Sequence, residues 1–495
     1  MSSNIKKPSL FISLVPVVAL VTLLVMNIYI FNDNAALGPN QVALFMAATL
    51  CAGIGLFYMK IPYKDIEKKV ISSIGLSMQA NLILLVVGIL IALWIFNGVV
   101  PAMIYYGIKL FNPNWFLPLT CLVCCVVSLA TGSSWSTGGT VGIAFIGVGQ
   151  ALNIPSPMVA GAVISGAYFG DKLSPLSDTT NLAPAMAGVD LFTHIRYMLF
   201  TTLPSITIAL IGFSILGYFY GGTGTDITQV REVLTILESR FNLTPFLFLL
   251  PALVFFMVAR KIPALPALLM GCLLGVIFGL VFQQDLLRAL IGPEMSWLQI
   301  YGKIIEMTHS GFAITTNNAM IDSLLNRGGM SSMLNTVWLI LMAMVFGGVM
   351  EATGMLEAIG NAILKMVKGT GSLIAATISS TMVINLTASD QYLSVVLPGR
   401  MFRASYRKFG LAPQNLSRSL EDGGTITSVL VPWNTCGAYF STILGVSTLS
   451  YMPYCFFNLV NPFVAVIIGA SGWKIEKLNE QEVIEEEYVS SPELG

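Results

Sequence analysis

The sequence predicts an all-α polytopic membrane protein of two inverted repeats, each with five transmembrane helices, one re-entrant hairpin and a discontinuous helix. Three observations lead there. Of 495 residues only 10% are charged and 55% are hydrophobic, where an ordinary soluble domain carries about 25% charge. Mean hydropathy is +0.79, and the apolar material suffices for about ten spans of ~20 residues. Most of the polar chemistry falls inside long apolar runs rather than between them, the pattern of irregular backbone buried at membrane depth. A soluble enzyme is excluded on composition, and the balance of 25 basic and 25 acidic residues leaves no basic face for nucleic acid.

Apolar segments fall near 9–31, 41–59, 80–99, 115–150, 157–190, 194–219, 243–259, 263–282, 331–350, 371–398, 412–447 and 451–470. The runs 115–150, 157–190 and 412–447 are too long for one span. Like the middle of 371–398, they are interrupted by Gly, Pro, Ser, Thr, Asn and Asp. The run from Leu10 is too long for a signal-peptide core and lacks a cleavage site. Basic residues prefer the cytoplasmic side, which places Lys6/Lys7, Lys60 to Lys69, Arg196, Arg260/Lys261, Lys365/Lys368 and Arg400 to Arg418 inside. Threading every segment straight through puts the last cluster outside. Reading 115–150 and 371–398 as hairpins restores it, with ten spans and both termini cytoplasmic.

The halves correspond. At an offset of 256, Gly98 falls on Gly354, Lys109 on Lys365 and Thr131 on Thr387; one residue further, Gly188 falls on Gly445, Tyr197 on Tyr454 and Phe200 on Phe457. Five spans per half is an odd number, so the second copy is inverted, the arrangement of secondary transporters with a site near the midplane. The expected organisation is a first repeat over 1–219 (hairpin 115–150, broken helix 157–190), an extracytoplasmic linker over 220–242, a second repeat over 243–470 (hairpin 371–398, broken helix 412–447) and an acidic cytoplasmic tail over 471–495, read as solvated. Segments 62–79 and 296–329 read as interfacial amphipathic helices. With no G-x-x-x-x-G-K-[ST] loop, an ion gradient supplies the work. No nucleophile–base pair or metal-ligand cluster suggests a membrane enzyme, and paired broken segments favour alternating access over an open channel.

The stretch Gly170-Asp171-Lys172-Leu173-Ser174-Pro175-Leu176-Ser177-Asp178-Thr179-Thr180-Asn181 carries the chemistry. A charge at mid-bilayer costs at least ~2.5–3.5 kcal/mol, so two aspartates and a lysine there need a purpose. Gly170, Ser174 and Pro175 break the helix and release carbonyls. Asp171, Ser174, Asp178, Thr179, Thr180 and Asn181 supply hard oxygens suited to Na+, with Asp171, Asp178, Asn181 and Asp390 as the expected Na+ ligands. Desolvation favours the neutral form of a carboxylate, so proton and Na+ compete for it, a physical basis for antiport. The plainer reading is a cytoplasmic-boundary loop with only Asp178 deep. Lys172 is read as a counter-charge to Asp171 or to a carboxylate of the second half.

The second half repeats the ingredients in Glu421-Asp422-Gly423-Gly424-Thr425 and in Asn434-Thr435, although Glu421 and Asp422 also suit a helix N-terminus. The first hairpin tip offers Ser134, Ser136 and Thr137, for which helix packing through small residues is the alternative. The second tip holds the lone carboxylate Asp390. Glu351 reads as a capped helix end, His194 and His309 as solvated interfacial histidines, and the seven cysteines as buried small hydrophobes.

The run from Gly166 to Ala183, GAYFGDKLSPLSDTTNLA, resembles the signature of the NhaC family of Na+/H+ antiporters. Thr131 to Thr137 and Arg327-Gly328-Gly329-Met330 are similar to that family too, so the resemblance extends over residues 10 to 470. It implies a bacterial inner-membrane antiporter of the ion-transporter superfamily, with a scaffold domain and a moving transport domain. It implies no cofactor; the transported species are Na+ and H+. The same family includes exchangers of malate and lactate and relatives proposed to carry amino acids, so a small carboxylate or an amino acid stays open as cargo, as does a homodimer as the assembly. For a carboxylate substrate, Lys172 is the obvious deep cation.

Overall fold

A computed structural model describes residues 7–31, 35, 37–220, 227–260, 262–292, 294, 296–316 and 318–478. Lys6, Lys261, residues 221–226 of the expected linker and the acidic tail from 479 lie outside the described residues. Within them the chain is helical, with one isolated antiparallel bridge between Leu411 and Lys477.

The first part runs α1 (Leu10–Phe31), α2 (Pro39–Gly53) with a π-turn after it, α3 (Tyr63–Phe96) and α4 (Val99–Leu110). The separate amphipathic helix expected over 62–79 does not exist: α3 is one helix of 34 residues, about 50 Å long. No proline interrupts it, and its small residues are packed rather than interfacial. Ser73 and Ser77 are buried, and a Cβ on Gly348 of the opposing helix would lie 2.9 Å from Val70 Cα and 3.0 Å from Ser73 Cβ.

The run 115–150 divides at Gly132-Ser133 into α5 (Phe116–Thr131) and an arm formed by α6 (Ser134–Thr137), a π-turn and α7 (Ile143–Ala151). The run 157–190 divides at 174–177 into α8 (Ser156–Leu173) and α9 (Asp178–Ala187), and α10 (Leu191–Tyr220) follows. The stretch expected to be a linker contains α11 (Ile227–Arg240). Then come α12 (Leu249–Ala259), α13 (Ala264–Phe282), α14 (Gln284–Ile291) and α15 (Trp297–Ser310). The last is opened by a capping box of Ser296 and Gln299. Residues 311–316 carry no helix before α16 (Ala319–Leu325).

The remainder comprises α17 (Leu334–Ala352), α18 (Met355–Leu364), α19 (Thr370–Thr387), α20 (Gln391–Lys408), α21 (Pro413–Leu420), α22 (Thr435–Leu444), α23 (Thr448–Tyr451) and α24 (Phe456–Ser471). Residues 413–430 form a continuous helical run, α21 followed by a π-turn at Glu421–Thr425 and a 3-10 turn at Ser428–Leu430. Glu421 and Asp422 therefore stand mid-run and cap no helix.

Among the described residues eight helices are long and apolar enough to cross a bilayer. Two bent pairs, Arg231–Arg240 with Pro245–Val258 (87°) and Thr448–Tyr454 with Phe456–Ser471 (58°), bring the number to ten if each is one span. All seven cysteines are buried and free. The start of the expected tail is docked, because Ala412 N–H donates to Glu476 O (3.1 Å) and Leu478 N–H to Gly410 O (3.0 Å).

Two apolar cores organise the packing. The larger contains Tyr168, Phe116 and Ala388; the smaller contains Ala183, Val395 and Leu420. The break at 174–177 lies between Tyr168 of the larger core and Ala183 of the smaller, whereas in the second half the crossover falls within α20, between Leu393 of the larger core and Val395 of the smaller.

Candidate functional site

Glycine spacing sets the position of Asp171. Gly166 and Gly170 lie one turn apart on α8 and face α5 so closely that a Cβ would lie 2.2 Å from Cys121 O and 2.4 Å from Cys125 O, a small-residue helix contact. The same contact carries the end of α8 to the break at Gly132. There φ is +68° and a Cβ would meet the Leu176 backbone at 2.7 Å. Ser134 N–H donates to Asp171 Oδ2 (3.0 Å), and Asp171 is only 7% exposed. The four-residue glycine spacing was the available signal for this packing.

The second half approaches the same place. Asp390 caps α20, accepting from Leu393 N–H (2.9 Å), and is 2% exposed. Ser389 before it has a left-handed φ of 59°, rare for a residue with a side chain. Its carbonyl accepts from Thr435 N–H (3.0 Å). Asn434 caps α22 through Cys436 N–H (3.1 Å) and donates to Asn385 Oδ1 (3.1 Å).

Asp171, Asp178, Thr179, Ser134, Asp390 and Thr435 line one cavity of about 840 Å³. Asp178 is exposed on its wall. Trp135, Gln391 and Tyr392, which sequence reasoning passed over, line it too. The Trp135 ring stacks on Tyr439 at 4.1 Å. The described lining residues include three carboxylates and no Lys, Arg or His. Among the described residues no three of His, Cys, Asp and Glu are grouped to hold a metal ion; of the expected Na+ set, Asp171, Asp178 and Asp390 line the cavity and Asn181 does not. A Na+ held there would take the rest of its shell from hydroxyl and carbonyl oxygens.

Other expected residues satisfy the broken backbone and do not line the cavity. Ser174 Oγ donates to Leu129 O (2.8 Å), Thr180 Oγ1 to Asp171 O and Lys172 O (3.1 Å each), and Asn181 Nδ2 to Pro175 O (3.0 Å) and Ser177 O (2.7 Å). Thr137 Oγ1 donates to Ser133 O (3.0 Å), and Ser136 N–H donates to Ser133 Oγ (3.1 Å).

Glu421, Asp422 and Thr425 form a different, fully buried cluster. Lys172 Nζ is ion-paired with Asp422 Oδ1, both side chains fully buried. That oxygen also accepts from Thr201 Oγ1 (3.0 Å) and Asn461 Nδ2 (2.9 Å). Lys172 is therefore the counter-charge of a second-half carboxylate, not of Asp171, and is not available to a ligand in the cavity. His194 is not solvated: it is fully buried with Nδ1 2.8 Å from Ser417 Oγ. His309 lies on the exposed surface beside Ser310 Oγ (2.7 Å). Glu351 pairs with Lys69 at 2.8 Å.

Comparison with known proteins places the chain in a family. The model of the Na+/H+ antiporter family matches residues 166–473, which hold the 174–177 break, Asp390 and the π-turn. The Na+/H+ antiporter NhaC of Alkalihalophilus pseudofirmus is 38% identical over 89% of this chain and 91% of its own. The malate-2H+/Na+-lactate antiporter of Bacillus subtilis is 37% identical over 95% and 96%, and the arginine/ornithine antiporter ArcD of Halobacterium salinarum 34% identical over 97% and 96%. A match across nearly the whole length of each relative, together with a family model that spans more than half of the chain, means that this chain belongs to the Na+/H+ antiporter family.

Proposed function

We propose that the protein is a secondary transporter exchanging Na+ for protons at the cavity carboxylates Asp171 and Asp390, with Asp178 on the approach. The observation that carries this reading is the charge of the wall: three carboxylates and, among the described lining residues, no basic side chain. Buried carboxylates facing a common space repel one another and lose hydration. A bound Na+ or a proton relieves both penalties, and the two exclude each other. A site neutralised by either cation can change sides, and one left fully ionised meets the mid-membrane charge cost. That asymmetry is what exchange requires.

The organic-acid reading finds less support, because a carboxylate cargo would face three like charges while Lys172 is held by Asp422. Two inverted repeats are part of the proposal. Gly98 and Gly354 are both left-handed caps opening the short helices α4 and α18, and Gly188 and Gly445 are both left-handed caps ending α9 and α22. The basic clusters support cytoplasmic termini, and membership of the family supports a bacterial inner membrane as the location. Uptake of radiolabelled Na+ into proteoliposomes under an imposed pH gradient, with and without malate, lactate or amino acids, tests the function: gradient-driven Na+ uptake that needs no organic compound is expected.

A further inference from the structure

We infer that Glu421 is a proton-carrying site of its own, apart from the cavity; the inference rests on the exchange reading above. Glu421 is fully buried, and neither carboxylate oxygen has a hydrogen-bond partner. Among the described residues no ion pair reaches Glu421, and the nearby Lys172 is paired with Asp422. A carboxylate left ionised in such surroundings bears a large desolvation penalty, and the group binds a proton instead.

The groups around it are accounted for element by element. Lys172 and Asp171 act on it from α8, and Asp422 and the Thr425 hydroxyl from its own turn, but Lys172 is engaged by Asp422. From α21, Arg418 lies over the Tyr197 ring at 4.4 Å and donates to Lys474 O (3.4 Å). On α10, His194 bonds to Ser417. Helices α19 and α24, which pack on the π-turn, contain no charged residue. From α9 and α20, the acidic groups Asp178 and Asp390 line the cavity instead. The ionisable Tyr392, Arg400, Arg403, Tyr406, Arg407 and Lys408 of α20 make no bond to Glu421.

The site is also wired to the cavity. Gly423 and Gly424 let the π-turn sit against α19 and α20, where a Cβ would meet Thr381 Oγ1 at 2.2 Å and Ser394 Oγ at 2.9 Å. Asn385 Nδ2 donates to Gly424 O (2.7 Å), Asn434 Nδ2 to Asn385 Oδ1 (3.1 Å), and Thr435 N–H to Ser389 O (3.0 Å), one residue before Asp390. On the other side Asp422 holds Lys172, one residue after Asp171. A charge appearing on Glu421 would compete for Lys172 and pull on both breaks. Such a coupling between a proton site and a Na+ site needs an element with two arrangements, and the π-turn is one candidate form of it.

The test is difference infrared spectroscopy of the purified protein across a pH series, paired with Na+ binding and exchange by Glu421→Gln. The expected result is a protonated-carboxyl band that persists in Asp171→Asn/Asp390→Asn and is missing from Glu421→Gln. That variant should bind Na+ within about twofold of wild type while its proton-driven exchange falls at least tenfold. No such band at any pH, or wild-type exchange with an unchanged proton count in Glu421→Gln, overturns the inference. If wild type neither binds nor exchanges Na+, the exchange reading fails instead, while the band still reports whether Glu421 holds a proton.

Discussion

Lys172 and Asp422, 250 residues apart in the chain, form the one ion pair among the described residues in which both side chains are wholly withdrawn from solvent. It joins the last turn of α8 to the π-turn of the other half. Removing one partner of a buried pair strands the other charge and costs about 3–5 kcal/mol, whereas neutral replacement of both is often tolerated. Lys172→Met and Asp422→Asn are each expected to lower the melting temperature in detergent and abolish exchange, and the double variant to recover stability but not exchange, because Lys172 is the charge that an ionised Glu421 would draw. A double variant with wild-type exchange would make the pair purely structural.

The cavity carboxylates should behave differently from the one at the helix end. Asp171→Asn and Asp390→Asn keep shape and remove charge, so each should insert normally, yet lose Na+ binding at least tenfold. Asp178, exposed on the wall, should raise the half-saturating Na+ concentration only several-fold when neutralised. Glu351→Gln breaks a partly exposed pair with Lys69, worth about 1 kcal/mol or less, and should leave exchange intact. Na+ binding by calorimetry separates the three classes.

Gly170 offers a purely geometric test. A Cβ there would lie 2.4 Å from Cys125 O and 2.4 Å from Leu129 N, backbone atoms that cannot step aside. Gly170→Ala should push α8 off α5, cost about 1–3 kcal/mol of overpacking strain and carry Asp171 away from Ser134 N–H. Weakened Na+ binding alongside a lowered melting temperature is expected. Gly354→Ala, with open space around it but a φ of +66°, should lower stability without touching Na+ affinity.

Much of this was legible in advance, and the parts that were not have physical reasons. The 174–177 break announced itself through Ser174-Pro175 and the charges beside it, because polar groups are tolerated at membrane depth only with a purpose. The continuity of α3 did not: the polarity of 63–79 looks interfacial in sequence, and only the packing of Ser73 against Gly348 makes it part of one helix. The burial of His194 was hidden likewise, since Ser417 lies 223 residues away. Partition of the acidic residues into a cavity set and a buried set depends on which face of each broken helix they occupy, and irregular backbone erases the periodicity that would reveal it.

Competition between Na+ and protons fixes the sign of the pH dependence. As pH falls, protons occupy the cavity carboxylates and apparent Na+ affinity drops, by about tenfold per pH unit for each competing proton, ~1.4 kcal/mol. As pH rises the affinity climbs to a plateau once the carboxylates are ionised. Half-saturation by Na+ across a pH series checks the slope.

The most direct test of the cavity carboxylates as the exchange site is uptake of radiolabelled Na+ into proteoliposomes driven by a pH gradient, comparing wild type with Asp171→Asn and Asp390→Asn reconstituted at equal density. Rapid uptake by wild type without any organic compound, and none above empty liposomes by either variant, is the predicted result. Wild-type uptake by both variants would contradict it and place the Na+ site elsewhere.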